Sequence, residues 1–145
     1  MRATRVRHGM EHPRALTLAI VGLLAGACAA GIGVAPGVPL TGAWGGRSVS
    51  LALTQAGGTV EYDCAHGTIS APLVPDDDGA VRATGVHVRE HGGPVRDGEP
   101  VDSSPALYVG SVRGGVLTLR VIVGADTLGP FVAERGASPQ LFKCL

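Results

Sequence analysis

Glycine falls at 45/46, 57/58, 67, 79, 92/93, 114/115, 124 and 136, and most of the gaps are nine to thirteen residues long. That is the rhythm of short strands and turns in a barrel or sandwich. Between the glycines, apolar and polar residues alternate: Val49, Leu51 and Leu53 fall on one face, Ser50, Ala52 and Thr54 on the other. No segment longer than one or two turns carries a 3.6-residue period. The pattern predicts an all-β domain of seven or eight antiparallel strands, a meander closing into a barrel. Closure also removes the exposed edges that a short sheet would otherwise present.

The stretch Gly42 to Cys64 reads as the first hairpin: a Trp-led strand through Thr54, a break at Ala56-Gly57-Gly58, and a second strand from Thr59 to Asp63. Thr68 to Ala71 is a short third strand. The acidic turn Asp76-Asp77-Asp78-Gly79 leads into a long run, Ala80 to Glu90, interrupted at Gly85 where a bulge is expected. Gly92 to Pro105 reads as a loop. Ala106 to Arg113 and Val116 to Val123 flank the Gly114-Gly115 turn, Asp126-Thr127 turns into Leu128 to Arg135, and Gln140 to Lys143 is the expected last strand.

The core of such a barrel is poor in large side chains. The chain has one Trp, two Tyr and two Phe against 23 Gly, and each fully buried larger aliphatic side chain adds only about 1.5–3 kcal/mol. A covalent staple therefore carries weight, and Cys64 and Cys144 are the pair placed to form one. Bridging them fastens the last strand to the first hairpin. A metal site from Cys64, His66 and Cys144 lacks a fourth ligand at a recognisable spacing.

The third cysteine belongs to a leader. Residues 1–14 carry Arg2, Arg5, Arg7 and Arg14, and Ala15 to Ala27 is an apolar run ending in small residues. This is the order of an export signal, expected as a helix over 1–27; Met10 is an alternative start. Leu24-Ala25-Gly26-Ala27-Cys28 resembles a bacterial lipobox, in which Cys28 takes the lipid and becomes the new N-terminus. Cleavage after Ala25-Gly26-Ala27 or Ala27-Cys28-Ala29 is the other reading. Residues 28–40 are then a flexible tether and 41–145 the barrel. Beyond the leader stand eight basic and eleven acidic residues, a net of −3 with His neutral. Such a surface argues against nucleic acid as a partner. Export also provides the oxidising compartment in which a Cys64–Cys144 bridge persists.

Gly42-Ala43-Trp44 resembles the Gly-x-Trp that opens the first strand in lipocalins and avidins, the calycin barrels. The resemblance implies that Trp44 plugs one end of the barrel while a basic side chain, Arg135 or Lys143, stacks on its indole. It implies no particular ligand, because the further lipocalin motifs and the aromatic lining of the avidin site are missing. From Gly42 to Leu145 the chain also looks like small exported bacterial proteins that remain uncharacterised.

The densest chemistry lies between His87 and Pro100, where His87, Arg89, Glu90, His91 and Arg96 form a candidate binding loop. His87 and His91 are four apart, a chelating spacing on a helix but a separation of about 13 Å on a strand. His66 beside Asp63 offers a base with no nucleophile in a recognisable elbow. Asp102-Ser103-Ser104 has turn composition. Asp76 to Gly79 opens like a calcium loop without its later ligands. No catalytic residue, metal or cofactor is assigned. The expectation is an envelope-tethered barrel, anchored to the membrane through a lipid, that binds a small apolar molecule or a protein partner. An envelope head without small ligand is the alternative, and a hydrolase resting on the histidines is the third reading.

Overall fold

The structure is a computed structural model and describes residues 33–94 and 96–144. The expected signal helix over 1–27 and the lipid-bearing Cys28 lie outside the described residues. The described chain forms eight strands: β1 Gly42–Gly46, β2 Val49–Thr54, β3 Gly57–Tyr62, β4 Ala65–Ile69, β5 Ala80–Arg89, β6 Ser103–Arg113, β7 Val116–Val123 and β8 Asp126–Arg135. They pair antiparallel in chain order, and β1 closes on β8 as a barrel. The expected closed meander is therefore the fold.

Alternation places the core. Val49, Leu51 and Leu53 on β2 point inward, and the register continues their rows around the wall: Leu51 lies across from Val60, Val60 from Gly67, Gly67 from His87 and His87 from Ser104. Directly opposed residues in an antiparallel pair share a face, so each row is a layer of the interior. The largest fully buried side chains are Trp44 and Tyr108, packed among Leu40, Leu51, Leu73, Leu117 and Leu119.

Several boundaries differ from the sequence reading. The Trp-led run is two strands, because Arg47-Ser48 turns the chain between β1 and β2. The next turn is Gln55-Ala56 rather than the glycine pair. Thr54 Oγ1 donates to the Gly57 carbonyl (2.9 Å) and accepts the Ala56 amide (3.2 Å), so the threonine shapes that turn. Gly85 carries no bulge and pairs in register with Ile69 and Ala106. Its missing side chain makes room instead: a Cβ there would lie 2.8 Å from Tyr108 Cε2, and one at Gly67 would collide with the Tyr108 hydroxyl. The register shift falls between Leu119 and Val121, where β7 meets β8. At Gly114-Gly115 the expectation holds, with φ of 55° and 81° as a tight two-residue hairpin requires.

The two ends of the chain depart most. Gln140 to Lys143 is not a strand. It touches the sheet through one parallel bridge, Gln140 to Arg47, while closure falls to Trp44↔Arg135 and Gly45↔Glu134. The tether also docks before residue 41: the Gly37 and Leu40 amides donate to the Pro75 and Leu73 carbonyls, both at 2.8 Å, and Leu40 is buried. Leu40, Leu73 and Pro75 thus cover the barrel end at which β1 begins.

Candidate functional site

At the opposite end lie the turns Arg47-Ser48, Asp63-Cys64 and Gly124-Ala125 and the loop between β5 and β6. Between them opens a cleft of about 410 Å³. Tyr62, His87, Leu128 and Phe131 line it, with Asp63, Arg89 and Glu90 at the rim. Tyr62 is the last residue of β3 and His87 sits two residues before the end of β5, so strand period alone turns both inward.

Two rings pack against Tyr62. The Tyr62 ring lies 4.9 Å from Phe131 and 5.9 Å from His87, centroid to centroid. Tyr62 is 4% exposed and His87 7%; His87 Nδ1 has no hydrogen-bond partner, the Tyr62 hydroxyl has only the Tyr108 hydroxyl beside it in no well-formed bond, and neither atom reaches the surface of the cleft. Burial, with the Tyr108 phenol adding to it, pushes the Tyr62 phenol far above its ordinary range. Burial also lowers the His87 pKa, and the nearby Arg89 charge lowers it further. Both groups are therefore neutral at pH 7.

The rim is a web of charge around the disulfide. Cys64 and Cys144 are bonded, with their Cα atoms 5.1 Å apart. The bridge pins the C-terminal segment to the β3–β4 turn, so it reinforces the mouth rather than the β1–β8 seam. Phe142 donates its amide to Asp63 Oδ1 at 2.9 Å, and this bond, with Ser48 assisting, holds the Asp63 carboxyl below its ordinary range. Lys143 Nζ reaches Glu90 at 3.1 Å and Glu61 at 3.3 Å, and His66 Nδ1 meets Glu90 at 2.8 Å. Burial alone would raise the Glu90 pKa, but the His66 and Lys143 hydrogen bonds outweigh it and keep the carboxyl low.

The candidate loop is thereby divided. His87, Arg89 and Glu90 stand at the mouth. His91 and Arg96 do not: His91 Nε2 pairs with Glu99 at 2.8 Å, and the Arg96 amide donates to the same carboxylate at 3.0 Å. His66 pairs with Glu90 and not with Asp63. Ser103 and Ser104 begin β6, and the Asp76 carboxylate accepts the Asp78 and Ala80 amides as a turn does. Trp44 is buried and its indole N–H donates to the Thr41 carbonyl at 3.3 Å. Arg135 faces it in register but is exposed, and among the described residues no cation stacks on the indole; Lys143 is held at the mouth.

Sequence reading missed Tyr62, Leu128 and Phe131 as site residues. Scarcity was the available signal: of five aromatic side chains, Tyr62 and Phe131 both come to this cleft. No protein-family model, curated protein or solved structure matches this chain.

Proposed function

We propose that the chain is an exported binding module, held to the bacterial envelope by a lipid on Cys28, which takes a small, largely apolar molecule into the barrel mouth. What carries the reading is the cleft itself, about 410 Å³ at the open end of the barrel, with Tyr62, Leu128 and Phe131 among its lining and Asp63, Arg89 and Glu90 at its rim. Concave apolar sites with a few convergent polar groups are the usual form of a small-molecule site.

Native mass spectrometry of the protein extracted from its host's membranes tests both halves. The expected species begins at Cys28, carries a lipid mass, and sheds a small molecule on collisional activation. Repeated recovery of an empty domain sinks the binding half, and an unlipidated N-terminus sinks the anchor.

A second reading, a head that docks an envelope protein, draws on the exposure of Phe142 (66%) and Val101 (71%) near this same end. Crosslinking in cells from either position should then trap a macromolecular neighbour, and recovery of free protein only would count against it.

A further inference from the structure

We infer that the barrel stands end-on on the membrane that anchors it, with its plugged end against the headgroups and its mouth opening into the aqueous space. Whatever the mouth binds then arrives through water and not out of that bilayer. The inference rests on the lipid anchor at Cys28 proposed above and goes beyond it to the posture of the barrel.

The tether is docked where it enters the fold. Gly37 and Leu40 donate their amides to the Pro75 and Leu73 carbonyls, Leu40 is buried, and Val34 packs against the core. Gly33 and Val34 line a groove with Pro75, Asp77 and Gly114, so the first described residue already lies at the plugged end. Gly33 follows Cys28 by five residues, a span that covers at most about 18 Å even fully extended. The barrel is longer than that. β5 runs from the Asp76–Gly79 turn at the plugged end to Arg89 at the mouth in ten residues. Ten residues of strand measure about 33 Å, or about 25 Å along the axis of a barrel at the usual tilt. A barrel turned mouth-down would lift Gly33 beyond the reach of its own anchor.

A barrel lying on its side is within that reach, but the wall offers nothing to hold it there. Exposed positions on the wall are mostly polar, Thr59, Thr68, Arg82, Thr84 and Arg120 among them, and the exposed Val86 and Val132 stand on strands that do not pair. The plugged end differs. Between the two tether hydrogen bonds stand Val38 and Val74, 54% and 38% exposed, an apolar pair that gains by leaving water. The adjoining carboxylates of Asp77 and Asp78 are exposed as well. They keep this end at the headgroups, because a charge is costly inside hydrocarbon. At the far end the charged rim, with Arg89, Glu90 and Lys143, stays in water, on the order of 25 Å above the lipid surface.

Contact quenching on vesicles tests the posture. The mature chain from Cys28 is prepared with the Cys64–Cys144 bridge intact, and its remaining thiol is coupled to a maleimide phospholipid in phosphatidylcholine vesicles. A dye is placed at Gln55, in the β2–β3 turn of the plugged end, or at Ala125, in the β7–β8 turn of the mouth. Both positions are exposed, and matching thermal melts certify that the labelled chains are folded. Lipids bearing a headgroup nitroxide quench only dyes close to the surface. The expected result is quenching stronger by threefold or more at Gln55 than at Ala125. Equal quenching, or stronger quenching at Ala125, overturns the posture. Because the lipid is supplied chemically, that outcome does not depend on the native modification. The mass of the protein recovered from its host's membranes decides the anchor separately: an unlipidated N-terminus overturns the anchor and the posture with it, whereas a lipidated protein with the quenching reversed overturns the posture alone.

Discussion

Two tyrosines on the inside of one barrel carry opposite energetics. Tyr108 Oη donates to the Val86 carbonyl at 2.9 Å, whereas Tyr62 Oη has only the Tyr108 hydroxyl beside it and makes no well-formed hydrogen bond. Removing a hydroxyl that bonds a buried carbonyl costs about 1 kcal/mol, and removing an unsatisfied one costs nothing or stabilises. Urea titration should place Tyr108→Phe below the parent and Tyr62→Phe at or above it. Gly67→Ala should cost about 1–3 kcal/mol by the same assay, because the new methyl meets the Tyr108 hydroxyl. His87 adds a pH dependence. Tyr62, Arg89, Asp102 and His66 are the ionisable groups about it, and its folded pKa lies below the ordinary 6.5. The unfolded chain therefore binds the proton more readily, so this contribution is complete above pH 6.5 and is lost as pH falls through the lower folded value. Thermal melts of the parent should fall over that range, and those of His87→Phe should fall less; parallel curves would refute the assignment. None of this was legible in the sequence, where Tyr62 and Tyr108 are equivalent inward positions.

At the scale of elements, the C-terminal segment is the instructive case. The sequence reads Gln140 to Lys143 as the last strand of the barrel, yet it bridges the sheet only at Gln140. Pro139 removes one ladder donor, and the β1–β8 pairing already occupies the seam. What holds the segment is covalent. Cys64 and Cys144 are 80 residues apart in sequence, so their bond is worth about 4–5 kcal/mol in the chain-entropy model. The Lys143 ion pairs lie at a wetter surface, where such pairs contribute only about 0–1 kcal/mol. Cys64→Ser/Cys144→Ser should therefore lower stability by several times the loss in Lys143→Ala. Chemical denaturation of the two variants decides it, and similar losses would show the charges to be the true anchor.

For the whole molecule, the seam is the weakest ladder. β1 meets β8 through two residue pairs, while β5 and β6 share nine. Local opening follows the sparsest contacts, so hydrogen exchange should release the β1 amides before those of β5 to β7; uniform protection would contradict this. The chain's own alternation and glycine spacing determined the all-β class and the closed antiparallel meander, because period two with one apolar face admits few other burials. Which eight segments are the strands was decided by the structure, which splits the Trp-led run and leaves Gln140 to Lys143 out. Its cysteines determined the staple, since only two of the three lie in the strand-bearing part. The tertiary structure alone decided which end is plugged and which is open, and that Tyr62, His87 and Phe131 meet. Those three come from β3, β5 and β8, and the barrel's closure, a long-range event with no local signature, is what brings Phe131 and His87 each within 6 Å of the Tyr62 ring.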